Sequence, residues 1–345
     1  MSVERTADAV VDRVSPKQAG FELPAEWEPQ AAVWLAWPVS RRIWPQHQAE
    51  IQNKFAEIAA RISWYEPVYI NAAPSEHASI TAALNRARCD LAVTRLWAHP
   101  TDDVWCRDFG PLFLKNRATG TLAVADFEFN AWGGKFEQYQ LDNAVPVRIA
   151  AALGLQCFKR GAILEGGAIE SNGAGCILTT EAVLLNANRY TRPTRASAEA
   201  LLRDGLGATE VVWLKQGIDH DDTDGHIDNV TRFLAADAVV TVVDPAQPQL
   251  LENAAVLRRR FANVLPIPLP EVLVHEGRPL PASYANFLIL NDAVLLPVFG
   301  QRARDQIAEG VMRDCFPGRK IEAVDARLLL FEGGAVHCLS MQQPR

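Results

Sequence analysis

The first constraints come from what the sequence lacks. Its six cysteines (Cys89, Cys106, Cys157, Cys176, Cys315 and Cys338) form no CxxC pair and keep no regular spacing. That argues against a disulfide scaffold or a structural zinc site and fits reduced thiols in a cytoplasmic protein. There is no basic excess: the net charge is −7 over 345 residues, which disfavours nucleic acid or an acidic membrane as a partner. The N-terminus is charged and lacks the apolar core of a signal peptide. No apolar run is long enough to span a bilayer. HExxH and EF-hand patterns are missing. No linker divides the chain, so residues 1–345 are expected to form one catalytic domain, with 1–30 as an irregular lead-in carrying Pro16, Pro24 and Pro29.

What is present is a repeat. Residues 31–37 read as an apolar strand. Residues 46–63 read as an amphipathic helix with Ile51, Phe55, Ile58, Ala59 and Ile62 on one face. A strand at 67–71, a helix at 76–88 and a strand at 91–97 follow. Strand pairs are then expected at 112–115 with 122–127, 176–180 with 182–186, 230–235 with 238–243, and 286–290 with 293–297. Helices follow near 143–153 (ended by Gly154), from Pro193 to about 205, at 249–263 and at 302–316. A last strand at 335–340 can pair with 31–37. Five strand–turn–strand–helix units, one of them completed by the two chain ends, predict a closed α/β ring. Asp108, Glu165, His226, Asn286 and Cys338 fall in phase with it, at intervals of 57, 61, 60 and 52 residues. Equivalent positions in a ring face its axis, so a single central site is expected.

The motifs around these residues carry chemistry. In WCRDFGP, Asp108 lies between Trp105 and a Gly-Pro turn. It either pairs with Arg107 to cap a loop or sits as a fixed carboxylate under an aromatic wall, suited to a planar cation. A Glu-Gly-Gly turn occurs twice, at Glu165 and at Glu332, where glycine accepts positive φ. One glutamate can also orient a histidine, and Glu165 is preferred because Glu332 shares its unit with Cys338. Residues 219–229 hold five aspartates and two histidines. Three readings stand: a divalent-metal site, a solvated acidic loop, or a general acid/base His226 beside an anchoring Asp228. No third ligand stands at metal spacing, and in an extended segment His226 and Asp228 share a face. Cys338 alone reads as a core thiol; the in-phase clusters make it a nucleophile. In the loops at 129–135 and 282–287, Trp132 can cover a substrate chain and Asn286 can hydrogen-bond near the thiol, or both can simply pack.

WCRDFGP, FNAWGGK, LEGG, DDTDGHIDN, ASYANF and GGAVHC resemble, in composition and order, the motifs of the agmatine deiminase family. That family is similar to the bacterial peptidylarginine deiminases, within the guanidine-modifying superfamily, and the resemblance runs from about Trp34 to the C-terminus. It implies a five-bladed α/β propeller of ββαβ units with pseudo-fivefold symmetry. It also implies that Cys338 is the nucleophile, His226 the general acid/base, Asp108 and Asp228 the guanidinium-gripping carboxylates, and Glu165 the partner of the histidine. Trp105, Trp132 and Asn286 match pocket-lining positions. Asp222 stands where many members have Glu, at a position linked to the far end of the substrate. The implied reaction converts agmatine, a small cation, to N-carbamoylputrescine and ammonia through an amidino-cysteine, in putrescine synthesis from arginine. No cofactor or metal is implied, and a homo-oligomer is. Neighbouring carboxylates are expected to raise the thiol pKa. A free-arginine enzyme would need a basic residue for the substrate carboxylate, and Lys135 is the only candidate in these motifs. A peptidylarginine deiminase and a non-catalytic polyamine-binding protein are the alternatives.

Overall fold

The structure is a computed structural model that describes residues 14–40 and 42–345; the first part of the expected lead-in lies outside the described residues. Among these residues the chain forms a mixed α/β fold with five sheets of three or four strands and one separate two-stranded hairpin. The five sheets share a connectivity. An antiparallel pair comes first, then a helix, then a strand that returns parallel to the second member of the pair. Thr231–Ala235 pairs antiparallel with Ala238–Val243, which pairs parallel with Asn263–Pro268 after the helix Pro248–Arg260. Leu112–Asn116, Leu122–Glu128 and Gln156–Ile163 repeat this around Val145–Leu153, with Phe21–Glu22 added at the edge. Ile169–Ser171, Cys176–Thr180 and Glu210–Leu214 do so around Arg195–Leu206. Leu288–Ile289, Ala293–Val298 and Lys320–Asp325 do so around Arg302–Cys315.

Both chain ends build the remaining sheet. Ser340–Pro344 pairs antiparallel with Gln30–Ala36, which runs parallel to Val68–Ala72 and then Thr94–Ala98. Local chemistry explains the element ends. Gly154 stops its helix in the left-handed region at φ 65°. Thr194 and Ser197 form a reciprocal capping box. The helix Gln48–Ser63 buries Ile51, Phe55, Ile58, Ala59 and Ile62, as its periodicity predicts.

Two expectations need correction, and one element lies outside them. Residues 182–186 are not a strand. Asn172 Oδ1 accepts from the N–H groups of Ala174 (2.9 Å) and Cys176 (3.0 Å), and this Asn-Gly turn pairs Cys176–Thr180 with the segment before it. Residues Glu181–Leu184 make one helical turn instead. The final strand begins at Ser340, not at 335. The Ser340 N–H donates to the His337 carbonyl (3.0 Å) and the Ser340 hydroxyl to the Val336 carbonyl (3.1 Å), which folds 336–339 into a turn and leaves Cys338 two residues ahead of the strand. The hairpin Leu273–His275 with Arg278–Leu280 was not foreseen.

The shared sheet predicts that the C-terminal strand holds the fold as well as the site. Deleting 340–345 should lower Tm by more than about 5 °C, while Cys338→Ala should leave Tm near its starting value. A truncated protein with unchanged melting would refute this role for the strand.

Candidate active site

Asp108, Glu165, His226, Asp228, Asn286 and Cys338 each lie two to five residues ahead of the first strand of a sheet. The shared topology puts them in one place, and all six are buried. The Cys338 Sγ lies 3.0 Å from Asn286 Nδ2, which donates to it, and 3.6 Å from Asp228 Oδ2. Asn286 Oδ1 accepts from the backbone N–H groups of His337 (3.1 Å) and Cys338 (3.3 Å), fixing the turn that carries the thiol. Asp108 is held from two sides: Trp132 Nε1–H donates to Oδ2 (2.9 Å) and Gly167 N–H to Oδ1 (3.0 Å). His226 Nδ1 stands 3.5 Å from Asp108 Oδ1. Neither ring nitrogen of His226 has a hydrogen-bond partner among the described residues. An uncommitted imidazole buried among carboxylates is free to exchange a proton with a bound molecule.

One expectation changes here. Glu165 does not hydrogen-bond His226, because its Oε2 is 4.0 Å from Nε2. Arg189 claims the carboxylate instead, with Nε 2.8 Å from Oε1 and both side chains fully buried. Glu165 therefore acts on the imidazole through charge across a gap. The second Glu-Gly-Gly turn also differs from the first. Gly166 and Gly167 do not have positive φ, whereas Gly333 does (95°). Gly167 is needed for closeness: a Cβ there would lie 2.5 Å from His226 Nδ1 and 2.6 Å from Asp108 Oδ1. Trp105 packs its ring against Gly334, where a Cβ would meet it at 2.2 Å. Trp132 reaches Asp108 from strained backbone. Ala131 and Trp132 have φ 53° and 54°, a conformation costing about 1–2 kcal/mol for each L-residue. The Asn130 side chain braces the turn by accepting from Gly133 N–H.

Asp108 and Asp228 sit in opposite electrostatic settings. Burial pushes Asp108 up to about 6; His226 opposes this, while Asp228 and Glu165 add to it. Asp228 is held below its ordinary range although burial works against it, because a His337 hydrogen bond and the charges of His337, His226 and Arg232 outweigh burial. His337 Nδ1 lies 2.7 Å from Asp228 Oδ2 and Nε2 lies 2.9 Å from Glu26 Oε2. Each ring nitrogen of His337 thus faces a buried carboxylate oxygen. His226 is raised: burial lowers it, but Asp108, Glu165, Asp228 and Asp221 prevail. The Cys338 thiol is pushed well above its ordinary value, first by burial, then by Asp228 and Asp108.

A cavity of about 320 Å³ opens above the thiol. Trp105, Asp108, Trp132, Asp222 and Cys338 line it, together with Ile43, Phe136, Asp103, Glu332 and the cations Arg42, Lys135 and Arg278. Lys135 is thus not alone as a basic residue lining the cavity. Asp222 is half-exposed and paired with Arg278 Nη1 at 2.8 Å. Sequence reasoning missed Glu26, Arg189, Arg232, Arg278 and His337. Only His337, beside Cys338 in GGAVHC, stood inside a motif already singled out. The acidic stretch 219–229 is tied up by Thr223, Asn229, Arg189 and Arg278. Glu26, Glu170 and His337 lie close enough together to hold an ion, but Arg232 already donates to both glutamates, at 2.6 and 2.9 Å, and supplies the positive charge.

The chain belongs to the Porphyromonas-type peptidyl-arginine deiminase family, whose sequence model matches residues 22–344. It is similar to the agmatine deiminase of Stutzerimonas stutzeri, 34% identical over 364 residues that cover 96% of this chain and 97% of that one. The agmatine deiminase of Enterococcus faecalis superposes with a TM-score of 0.90 at 28% identity, covering 98% of this chain and 100% of the other. A Porphyromonas gingivalis structure, provisionally named an arginine deiminase, gives 0.85 at 33% identity, covering 94% and 98%.

Two predictions follow from the geometry. Gly167→Ala should lower turnover by about 100-fold or more, since displacing His226 and Asp108 by even a fraction of an ångström disrupts their alignment; full activity would show that the close approach is unnecessary. The thiolate ultraviolet absorbance of Cys338, taken as wild type minus Cys338→Ser, should stay absent through neutral pH. It should appear at lower pH when guanidinium ion is added, because a cation between the carboxylates favours the charged sulfur. Identical titrations with and without the ion would refute that electrostatic reading.

Proposed function

We propose that this protein hydrolyses the guanidinium group of agmatine to N-carbamoylputrescine and ammonia. The observation that supports this most directly is the placement of Cys338 Sγ at 3.0 Å from Asn286 Nδ2 and 3.6 Å from Asp228, in a cavity shared with Asp108. A planar cation gripped by Asp108 and Asp228 would present its carbon to the sulfur. Binding would also draw the thiol proton off, because the cation offsets the two carboxylates that hold it. Sulfur attacks the carbon, His226 protonates a terminal nitrogen, and ammonia leaves. The amidino group stays on Cys338. His226, now neutral, takes a proton from water as the oxygen adds to the carbon; the C–S bond breaks, the hydroxyl proton passes to the departing sulfur, and the ureido product leaves with Cys338 and His226 restored. The residues themselves supply every proton transfer, so no cofactor is needed.

In this reading the five sheets are the blades of a five-bladed α/β propeller with pseudo-fivefold symmetry, in a single catalytic domain, and the site lies on its axis. The reaction would serve putrescine synthesis in the cytoplasm, and the protein would assemble as a homo-oligomer. No helix among the described residues is long and apolar enough to cross a membrane. A second reading, a deiminase for arginine in peptides, is favoured by one observation: Arg42 and Arg278 line the cavity mouth, where a carboxylate could be met. Each already pairs with an aspartate, Asp103 and Asp222, which leaves less charge for a carboxylate.

Ammonia release from agmatine, free arginine and a peptide ending in arginine distinguishes the readings. Agmatine should be the best substrate in kcat/KM. Activity on the peptide alone would overturn the assignment, and activity surviving in Cys338→Ser would overturn the covalent mechanism.

A further inference from the structure

Pairing the charges around the cavity leaves, among the described residues, one carboxylate with no cation at ion-pair distance and another, Asp108, that faces only His226. Seven ionisable side chains other than Cys338 line it: Arg42, Asp103, Asp108, Lys135, Asp222, Arg278 and Glu332. Arg42 takes Asp103 at 2.6 Å and Arg278 takes Asp222 at 2.8 Å. Lys135 takes Asp224, behind the wall, at 2.8 Å. Asp108, the inner carboxylate, is assigned to the guanidinium. Glu332 remains. Its Oε1 accepts from the Trp44 backbone N–H at 3.0 Å, and no cation lies within ion-pair distance of it among the described residues. The Trp44 contact holds the carboxylate in place without neutralising it. Asp103 is near enough that Glu332 repels it, so among the described residues this end of the cavity holds two carboxylates and one guanidinium.

The wall shared by these two groups is apolar. Ile43, Trp105, Trp132 and Phe136 supply it, and Trp105 is pressed against Gly334, two residues beyond Glu332. An apolar sleeve with one unmatched carboxylate inside and another outside fits a methylene chain with a cation at each end. Asp222 is the less suitable partner for the outer cation, because its charge is already met by Arg278 and it is more than half exposed (59%).

We propose that Glu332 is the specificity-determining residue that receives the distal ammonium of the substrate, a role sequence reasoning gave to Asp222. The inference rests on the agmatine reading above and deepens it. A carboxylate at that place attracts an ammonium tail and repels the carboxylate of free arginine, so one side chain both selects and rejects.

The test compares wild type and Glu332→Gln on agmatine and on butylguanidine, which has the same chain without the ammonium. Glutamine keeps an oxygen to accept the Trp44 N–H, and a melting curve checks that the fold is intact. Glu332→Gln should lose roughly 10- to 100-fold in kcat/KM on agmatine, the scale of a hydrogen bond to a charged group, and less than about threefold on butylguanidine. The wild-type preference for agmatine over butylguanidine should collapse accordingly. Equal losses on both substrates would make Glu332 a structural residue and overturn the proposal, as would an unchanged ratio. Wild-type protein that releases no ammonia from agmatine would instead remove the functional reading, and this inference with it.

Discussion

Burying several carboxylates at one point is the constraint on which this structure depends. Asp108, Glu165 and Asp228 surround one imidazole with almost no water contact, and an isolated buried charge is too costly to persist unpaired. The fold answers with basic partners at graded depth. Arg189 is committed to Glu165. His337 is committed to Asp228, and Arg232 lies behind it with Glu26 and Glu170. Asp108 alone receives no fixed cation besides the mobile proton of His226; its other partners are the N–H groups of Trp132 and Gly167. Hence Asp228 is held low and Asp108 is pushed up to about 6. That leaves a deficit of positive charge between Asp108 and Asp228, and under the proposed reading a guanidinium bridging both carboxylates would complete the charge pattern and loosen the proton on Cys338.

Such a site tolerates little slack. The approach of Gly167 and the left-handed stretch at Ala131 and Trp132 press neutral donors onto Asp108 without adding a fixed cation. An arginine there would satisfy Asp108 permanently and compete with the substrate. Uncharged N–H donors hold the carboxylate in direction and leave its charge available, which explains why backbone strain is spent at this point.

The primary layer was legible in the sequence because it is periodic. Asp108, Glu165, His226, Asn286 and Cys338 each precede a strand pair, so a repeat found from hydrophobic patterning also marks the chemistry. The supporting layer has no period. Glu26 comes from the lead-in, Arg189 from a loop after a helical turn, and Arg232 from inside a strand that otherwise reads as apolar. They meet because of tertiary packing, and no local pattern announces a buried ion pair. The misreadings have local causes. The strand placed at 182–186 ignored Asn172–Gly173, the stronger hairpin signal. The strand placed at 335–340 followed hydrophobicity where Ser340 was closing a turn. Asp222 was singled out through the family resemblance, but Arg278, which pairs with it, lies on a hairpin that the repeat does not include.

The chain ends connect the two layers. Cys338 sits in the turn before the strand that pairs with Gln30–Ala36. The neighbouring His337 reaches back to Glu26, four residues ahead of that same strand, and across to Asp228. Glu26 also accepts from Ile289 N–H (2.8 Å) and from Arg232. The sheet formed by Gln30–Ala36 and Ser340–Pro344 therefore aligns an ionic chain that runs from the lead-in, through the histidine beside Cys338, to the carboxylate facing it. Against burial, Asp228 is held low by His337 together with His226 and Arg232, and the turn before the Ser340–Pro344 strand sets where His337 stands. Pairing of that strand thus positions both the thiol and a main partner of the carboxylate facing it, so one structural element supports the order of both layers.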